Sequence, residues 1–303
     1  MNQVENIKKI KYYASSRHIA VFGILFGALG WGIIWFPYRI MADAGVSGAI
    51  STLYTYSITT IIAGIFFAKH WRGIFELPLS IIWLSIVAGW TNLAYVLAVI
   101  DGEVMRVMLL FYLSPLWTLI LAHFLLKEKT PLKGYIAIAV SLLGAFIMLY
   151  DPQVSNLPLP RNLAEWLALS AGMGFSLMNV ITRQSTHLSI LAKSFAIWIG
   201  VFVVSIVFIV FSKKVFPAPA LLSLSNWLVL VGIALLLISI TFTVQYGVTK
   251  IPATRASVIF LFELVVAAVA SYYLANEAMA INEWVGGGLI VLAAIFAANI
   301  QHE

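Results

Sequence analysis

The chain contains no cysteine. Disulfides, thiolate metal sites and cysteine nucleophiles are therefore excluded, while the redox compartment stays open. Charge is almost as scarce: 10% of the 303 residues are charged, against 62% that are hydrophobic. A soluble domain carries roughly 25% charged residues and about half apolar ones, so a chain this apolar could not cover its surface in water. Its solvent is largely lipid. Motifs are missing too. There is no Gly-rich phosphate loop followed by Lys-Ser/Thr, no His-Glu-x-x-His, no paired Asp-rich motif and no Gly-x-Ser-x-Gly. Nothing points to ATP hydrolysis, a metal, a cofactor or hydrolytic chemistry. Met1–Arg17 is polar and basic, and the apolar run after it has full membrane length. It reads as a first span rather than a cleaved leader.

What the chain does have is apolar runs. A helix crossing the hydrocarbon core needs about 20 mostly apolar residues. Spans are expected at 18–38, 48–68, 77–99, 104–126, 133–150, 162–182, 190–212, 226–248, 252–275 and 283–300, separated by charged or Pro/Gly-containing turns. Barrel strands alternate polar and apolar residues, whereas these runs are apolar all round. The expected fold class is an all-α integral membrane protein of ten transmembrane helices.

A net charge of +6 in a soluble protein would raise the question of nucleic acid. Here the cations mark a membrane face instead. With the N-terminus cytoplasmic, inside segments hold Lys8, Lys9, Lys11, Arg17, Lys69, Arg72, Lys127, Lys129, Lys133, Arg183, Lys193, Lys250 and Arg255, which is 13 of the 18 Lys and Arg. The outside keeps 5: Arg39, Arg106, Arg161, Lys213 and Lys214. This asymmetry fits the positive-inside rule and puts both termini in the cytoplasm. The expected partners are the bilayer and a small molecule, with no nucleic acid.

The chain also repeats itself. Val104–Lys129 matches Ala253–Ala278 at a constant offset of 149 residues, placing Arg106 on Arg255, Ser114 on Glu263, Leu125 on Leu274 and Glu128 on Glu277. Gly30-Trp31-Gly32 likewise resembles Gly172-Met173-Gly174. Five spans per copy is an odd number, so the second copy would lie upside down. Inverted repeats place a substrate site near the midplane and supply two oppositely facing states. The expected units are a tail over 1–17, a repeat over 18–150, a linker over 151–161 and a repeat over 162–300.

Ala28-Leu29-Gly30-Trp31-Gly32, Leu113-Ser114-Pro115-Leu116-Trp117, and the endings Leu126-Lys127-Glu128 and Ala275-Asn276-Glu277 carry a family likeness. With ten spans in two halves, the chain resembles the drug/metabolite transporter superfamily in its EamA-type branch. The resemblance implies an exporter of a small organic metabolite, such as an amino acid, across the bacterial inner membrane; some members import. One departure stands out. Members usually carry a proline after the mid-span polar residue of the second copy, but Glu263 is followed by Leu264. The ninth span is therefore expected to be straighter than the fourth.

Glu263 is the most informative residue. It sits midway along its span, where an ionised carboxylate costs on the order of 2.5–3.5 kcal/mol. It is the candidate for proton coupling or for holding a substrate amine, with an interhelical hydrogen bond as the plain alternative. Asn92, Tyr95, Ser114, Asn179 and Gln245 are further polar or hydroxyl groups at depth, suited to a zwitterion or to gluing helices together. Trp31 and Trp117, with Trp90, are candidate pocket walls or core. The expected cavity lies between spans 1, 3, 4, 6, 8 and 9. Trp71, Tyr150, Trp166, Trp227 and Trp284 read as interfacial anchors, and His123 as an interfacial residue. Gly23-x-x-x-Gly27 and Gly286–Gly288 read as close helix packing, with dimerisation second, so monomer and homodimer both stand. The competing functions are an importer or exchanger of the same fold and a membrane enzyme on lipid-linked substrates. The enzyme would need clustered acidic or histidine residues at one face, where only Asp101 and Glu103 stand together.

Overall fold

In a computed structural model of the chain, residues 3–66, 78–102, 104–150, 160–212, 222–274 and 280–300 are described, and all regular structure among them is helical. Lipid offers no partners to backbone N–H and C=O groups, so apolar runs satisfy them internally as helices. In chain order these are α1 (Gln3–Asp43), α2 (Gly48–Phe66), α3 (Leu79–Asp101), α4 (Val104–Phe111), α5 (Ser114–Leu121), α6 (Leu132–Leu149), α7 (Leu163–Gln184), α8 (Ile190–Ser212), α9 (Leu224–Lys250), α10 (Ala253–Phe260), α11 (Phe262–Leu274) and α12 (Ile281–Asn299). Among the described residues, seven segments are long and apolar enough to cross a membrane: His18–Asp43, Gly48–Phe66, Leu79–Val99, Leu163–Gln184, Ile190–Phe211, Leu224–Lys250 and Ala253–Leu274. Three shorter apolar helices, Ser114–Leu126, Leu132–Met148 and Trp284–Asn299, occupy the fourth, fifth and tenth expected runs. Helix α1 runs back to Gln3, so the basic stretch ahead of the first apolar run is helical and continuous with it.

The packing comes in matched pairs. Helix α1 packs on α9 and on α10–α11; its counterpart α7 packs on α3 and on α4–α5. Helices α2 and α8 pack on each other, as do α6 and α12. Exchanging the two halves maps these pairings onto one another. Glycines permit the closest crossings. A methyl on Gly23 would lie 2.7 Å from the Thr243 carbonyl oxygen, and one on Gly286 would strike the Gly144 carbonyl. The Gly23/Gly27 stripe is thus occupied within the chain, by α9, while Gly288 meets nothing within 4 Å. Where α3 crosses α8, a methyl on Gly200 would overlap the Ser85 carbonyl, and the Ser85 hydroxyl donates to Ala196 O at 2.8 Å.

Many large apolar side chains are exposed, Phe22, Ile65, Phe211 and Ile281 among them, as a lipid-facing surface requires. Trp90 belongs to that outer surface at 45% exposure, so it walls no interior pocket. Tyr150, Trp166 and Trp284 are exposed near helix ends, and Trp227 rests on Tyr54 with ring centroids 5.7 Å apart. His123 is exposed, edge-on to Phe124. Trp71, Glu103, Lys69, Arg72, Lys213, Lys214, Asn276 and Glu277, and the side chains of Asp101 and Arg106, lie outside the described residues.

The ninth run is less interrupted than the fourth, by one residue against two, and it forms a single apolar segment over Ala253–Leu274. Both repeats break at the same place. The first copy is interrupted at Tyr112 and Leu113, between α4 and α5; the second at Leu261, between α10 and α11. In the first, Pro115 has no N–H to offer Phe111, so the ladder must lapse. The second lacks a proline and still tightens into three-residue turns, with Leu261 N–H donating to Val258 O at 3.2 Å and Leu264 N–H to Leu261 O at 3.1 Å. Close packing accompanies both breaks. Gly32 of α1 is pressed against this turn, so that a methyl there would sit 2.9 Å from the Glu263 carbonyl oxygen. In the first copy Gly172 of α7 is pressed against the Phe111 carbonyl, where a methyl would sit 2.5 Å away.

Candidate substrate site at the paired helix interruptions

Glu263 stands ten residues beyond Ala253, the start of α10, or about 15 Å along the axis. That is half of a hydrocarbon core about 30 Å thick. The Tyr112 hydroxyl, from the opposite interruption, donates a hydrogen bond to the Glu263 carboxyl. Tyr95 of α3 lies within electrostatic reach of the same carboxyl. The carboxyl is therefore tied across the two halves at the point where both helices break.

Around it lies a chain of aromatic rings drawn from five helices. Trp31 of α1 is 5.7 Å from Phe260 and 6.0 Å from Phe175 by ring centroids. Phe175 of α7 is 5.2 Å from Phe260 and 5.6 Å from Phe111. Phe111 continues to Tyr95 at 4.9 Å and to Tyr112 at 5.3 Å. Several of these contacts are edge-on or tilted, the geometries that ring quadrupoles favour. Trp31, Tyr95 and Glu263 are the sequence candidates gathered here. Phe111, Tyr112, Phe175 and Phe260 were missed. The signal existed for two of them, since Phe111 and Phe260 share the 149-residue offset, but apolar matches carry little weight in an apolar chain.

The other candidates are spread over the neighbouring helices α3, α5, α7 and α9. Ser114 is buried at the first interruption, and its carbonyl accepts from the Ser176 hydroxyl at 2.8 Å. The Trp117 indole N–H is buried with no protein partner. Asn92 faces Thr52 and Ser205 in a narrow cleft between α2, α3 and α8, away from Glu263. Gln245 is buried one helix further, its Oε1 accepting from the Thr182 hydroxyl at 2.9 Å. Asn179 is buried with both amide atoms lacking a protein partner. It lies on the helix face shared by Phe175 and Thr182, four residues from one and three from the other. An orphaned buried amide costs about 1–3 kcal/mol, so this one calls for a partner that is not protein.

A second polar group closes one end of the bundle. After α5 the helix widens into a π turn over Ala122–Leu126, and Lys127 takes a left-handed conformation, φ 56°. This turn aims Glu128 back at the bundle. Its Oε1 accepts from Arg183 Nε at 3.0 Å and its Oε2 from Ala253 N–H, the first residue of α10, at 3.3 Å. Arg183 also donates to Thr249 O at 2.7 Å. Nearby, fully buried Lys193 donates to Thr182 O, Ser185 O and the Thr249 hydroxyl. This lysine is no mere flanking charge: it satisfies carbonyls at the C-terminal end of α7, where a cation is favoured.

The EamA-like transporter family matches residues 18–150 and again 162–299. The chain belongs to that family. As an EamA-like protein it is a member of the drug/metabolite transporter superfamily. A relative described as an uncharacterized transporter, from Clostridium kluyveri, is 26% identical over 191 residues, 61% of this chain. The matched segment spans 60% of that relative's length. A solved crystal structure is similar with a TM-score of 0.73 at 17% identity, covering 93% of this chain and 97% of that one; this likeness concerns the fold alone.

The first EamA-like match contains Tyr112 and Glu128, the second Arg183 and Glu263. The Glu128–Arg183 pair is a quarter exposed, so it contributes about 0.2–1 kcal/mol at most. Its effect should appear in opening rather than in stability. The chain has no cysteine, so Thr130→Cys gives a single label site beside the pair. Adding Arg183→Gln to Thr130→Cys should speed thiol labelling by about fivefold, the factor corresponding to roughly 1 kcal/mol. Equal labelling rates in the two proteins would show that the pair closes nothing.

Proposed function

We propose that this EamA-like protein is a secondary active transporter that exports a small organic metabolite, such as an amino acid, by alternating access. In this reading residues 18–150 and 162–300 are two inverted repeats of five crossings each, ten in all, and the site lies between them at mid-membrane. The observation that carries it is the Glu263 carboxyl held by Tyr112 at the paired interruptions, with aromatic rings alongside. A carboxylate beside aromatic faces suits a substrate ammonium group, and the orphaned Asn179 amide can serve a substrate carboxylate. A zwitterion fits both. Discontinuous helices at a repeat interface also expose backbone dipoles to a solute. Glu263 is assigned the coupling of proton movement to export, and the protein acts as a monomer or homodimer.

The 13-to-5 charge split supports a bacterial inner-membrane protein with both termini cytoplasmic. The Glu128–Arg183 end is then the cytoplasmic one, and the packing of α5 on α10 beside it describes a state closed to the cytoplasm. Reporter fusions at the two ends should both give cytoplasmic signals; a periplasmic signal from either end would require an uneven number of crossings. The function itself is tested by counterflow in proteoliposomes against amino acids, nucleosides and other small metabolites. Accumulation of one class above empty liposomes is expected. Transport of none of them would leave only family membership standing.

A further inference from the structure

Where α5 crosses α7, the Trp117 indole N–H, the Thr118 hydroxyl and both amide atoms of Asn179 are buried with no partner among the described residues. Thr118 is 0% exposed and Asn179 1%. The register of the crossing brings these groups together. Going along α7, Gly172 lies against Phe111, Ser176 donates to the Ser114 carbonyl at 2.8 Å, and Val180 shares a packed cluster with Ala122. The two helices therefore run parallel. Thr118 stands one turn after Ser114 and Asn179 about one turn after Ser176, so each continues the face that makes the Ser176 contact. Both fall between that contact and the one at Val180, yet neither bonds the other. Leaving buried donors and acceptors unpaired is costly, so a crossing that does so repeatedly is built for a partner other than protein. Helix α5 belongs to the first repeat and α7 to the second, so movement between the halves would open and close this gap.

We propose that the solute is a zwitterion of dipeptide size, with its ammonium at Glu263 and its carboxylate at Trp117, Thr118 and Asn179. This rests on the reading of Glu263 as the partner of a substrate ammonium. The donor set identifies the far end. The Trp117 indole, the Thr118 hydroxyl and the Asn179 Nδ2 all donate, while the Asn179 Oδ1 accepts. Three donors beside one acceptor match a carboxylate with an N–H next to it, which is how a peptide ends. Spacing identifies the length. Phe175 precedes Asn179 by four residues and meets the rings of Phe111 and Phe260 beside Glu263. Four residues of helix rise by about 6 Å. An α-amino acid carries both charges on one carbon and falls short of that turn, whereas two residues of extended chain reach about 7 Å. The middle of such a solute would lie along Phe175.

The test is ligand-dependent thermal stabilisation of the purified full-length protein in detergent, which requires no transport to occur. Alanyl-phenylalanine is titrated beside phenylalanine and beside alanyl-phenylalanine amide, which lacks the carboxylate. A ligand that binds only the folded state raises Tm with a saturable dependence on concentration. The dipeptide should saturate, and both comparison compounds should bind about tenfold or more weakly. Thr118→Val and Asn179→Leu keep the side-chain shape and remove the polar atoms. Each should weaken dipeptide binding by about tenfold to a hundredfold. Neither should lower the Tm of the ligand-free protein, because no protein hydrogen bond is lost; groups that merely glue helices would lower it. No saturable shift with the dipeptide, equal binding of phenylalanine, or a dipeptide shift that both variants leave unchanged overturns the proposal. Glu263→Gln separates the two ends. A shift lost there but kept in Thr118→Val and Asn179→Leu sinks the carboxylate end alone, and the reverse pattern sinks the Glu263 reading while the carboxylate end stands.

Discussion

A Glu263→Gln protein is expected to insert and fold normally yet lose pH-driven net transport while retaining solute exchange. Glutamine keeps the shape of the side chain and its hydrogen bond with Tyr112 but carries no titratable proton. One pH unit is worth about 1.4 kcal/mol per proton, or a tenfold accumulation at one proton per solute. Wild-type proteoliposomes should approach that ratio across a one-unit step, and Glu263→Gln should accumulate nothing above leak. If the carboxylate instead holds a substrate amine, exchange fails as well, because the counter-charge is gone. Wild-type rates and wild-type pH dependence in the variant would refute both roles and leave Glu263 as interhelical glue. Tyr112→Phe separates the contributions further. It removes a donor to a charged group, worth about 1.5–3 kcal/mol, and should displace the pH profile without abolishing transport.

The second large effect concerns Gly172. Helix α7 touches the first interruption there, and a methyl would stand 2.5 Å from the Phe111 carbonyl oxygen and 3.1 Å from its carbon. Those atoms are backbone and cannot swing aside. Gly172→Ala must separate α7 from α4–α5, at about 1–3 kcal/mol for overpacking, and it shifts Phe175 away from Phe111 and Phe260. A lowered Tm together with a large loss of counterflow is the expected result. Gly232 in α9 has nothing within 4 Å of the same added methyl, so Gly232→Ala should be neutral, or stabilising by about 0.5–1 kcal/mol through helix propensity. Equal Tm and equal transport in the two variants would show that α7 does not press on the interruption.

The two interruptions differ in what the sequence records of them. Pro115 announces the first break, because a missing N–H is visible in a sequence. Leu261 announces nothing. Beside the second break Gly32 packs close to the Glu263 carbonyl from a helix more than two hundred residues away, and no local pattern records that approach. The polar candidates divide in the same way. Depth along a span is legible from residue counting, so Asn179 and Gln245 were identified as buried and are, while Glu263 keeps part of its surface exposed. The azimuth of each side chain around its helix depends on which neighbour packs where, so Asn92 turned out to face α2 and α8 instead of Glu263.

Composition and periodicity alone determined the solvent, the helical class, the number of apolar runs and the twofold repeat. Each follows from one-dimensional quantities: backbone groups in lipid must bond within their own segment, and duplication leaves a constant offset. Only the tertiary structure decided the partners. It brought Tyr112 to Glu263, set Phe175 between Phe111 and Phe260, and placed Glu128 on Arg183 and α10. Lipid is as apolar as the helix surfaces, so helix association there is chosen by close packing and hydrogen bonds, which depend on three-dimensional shape.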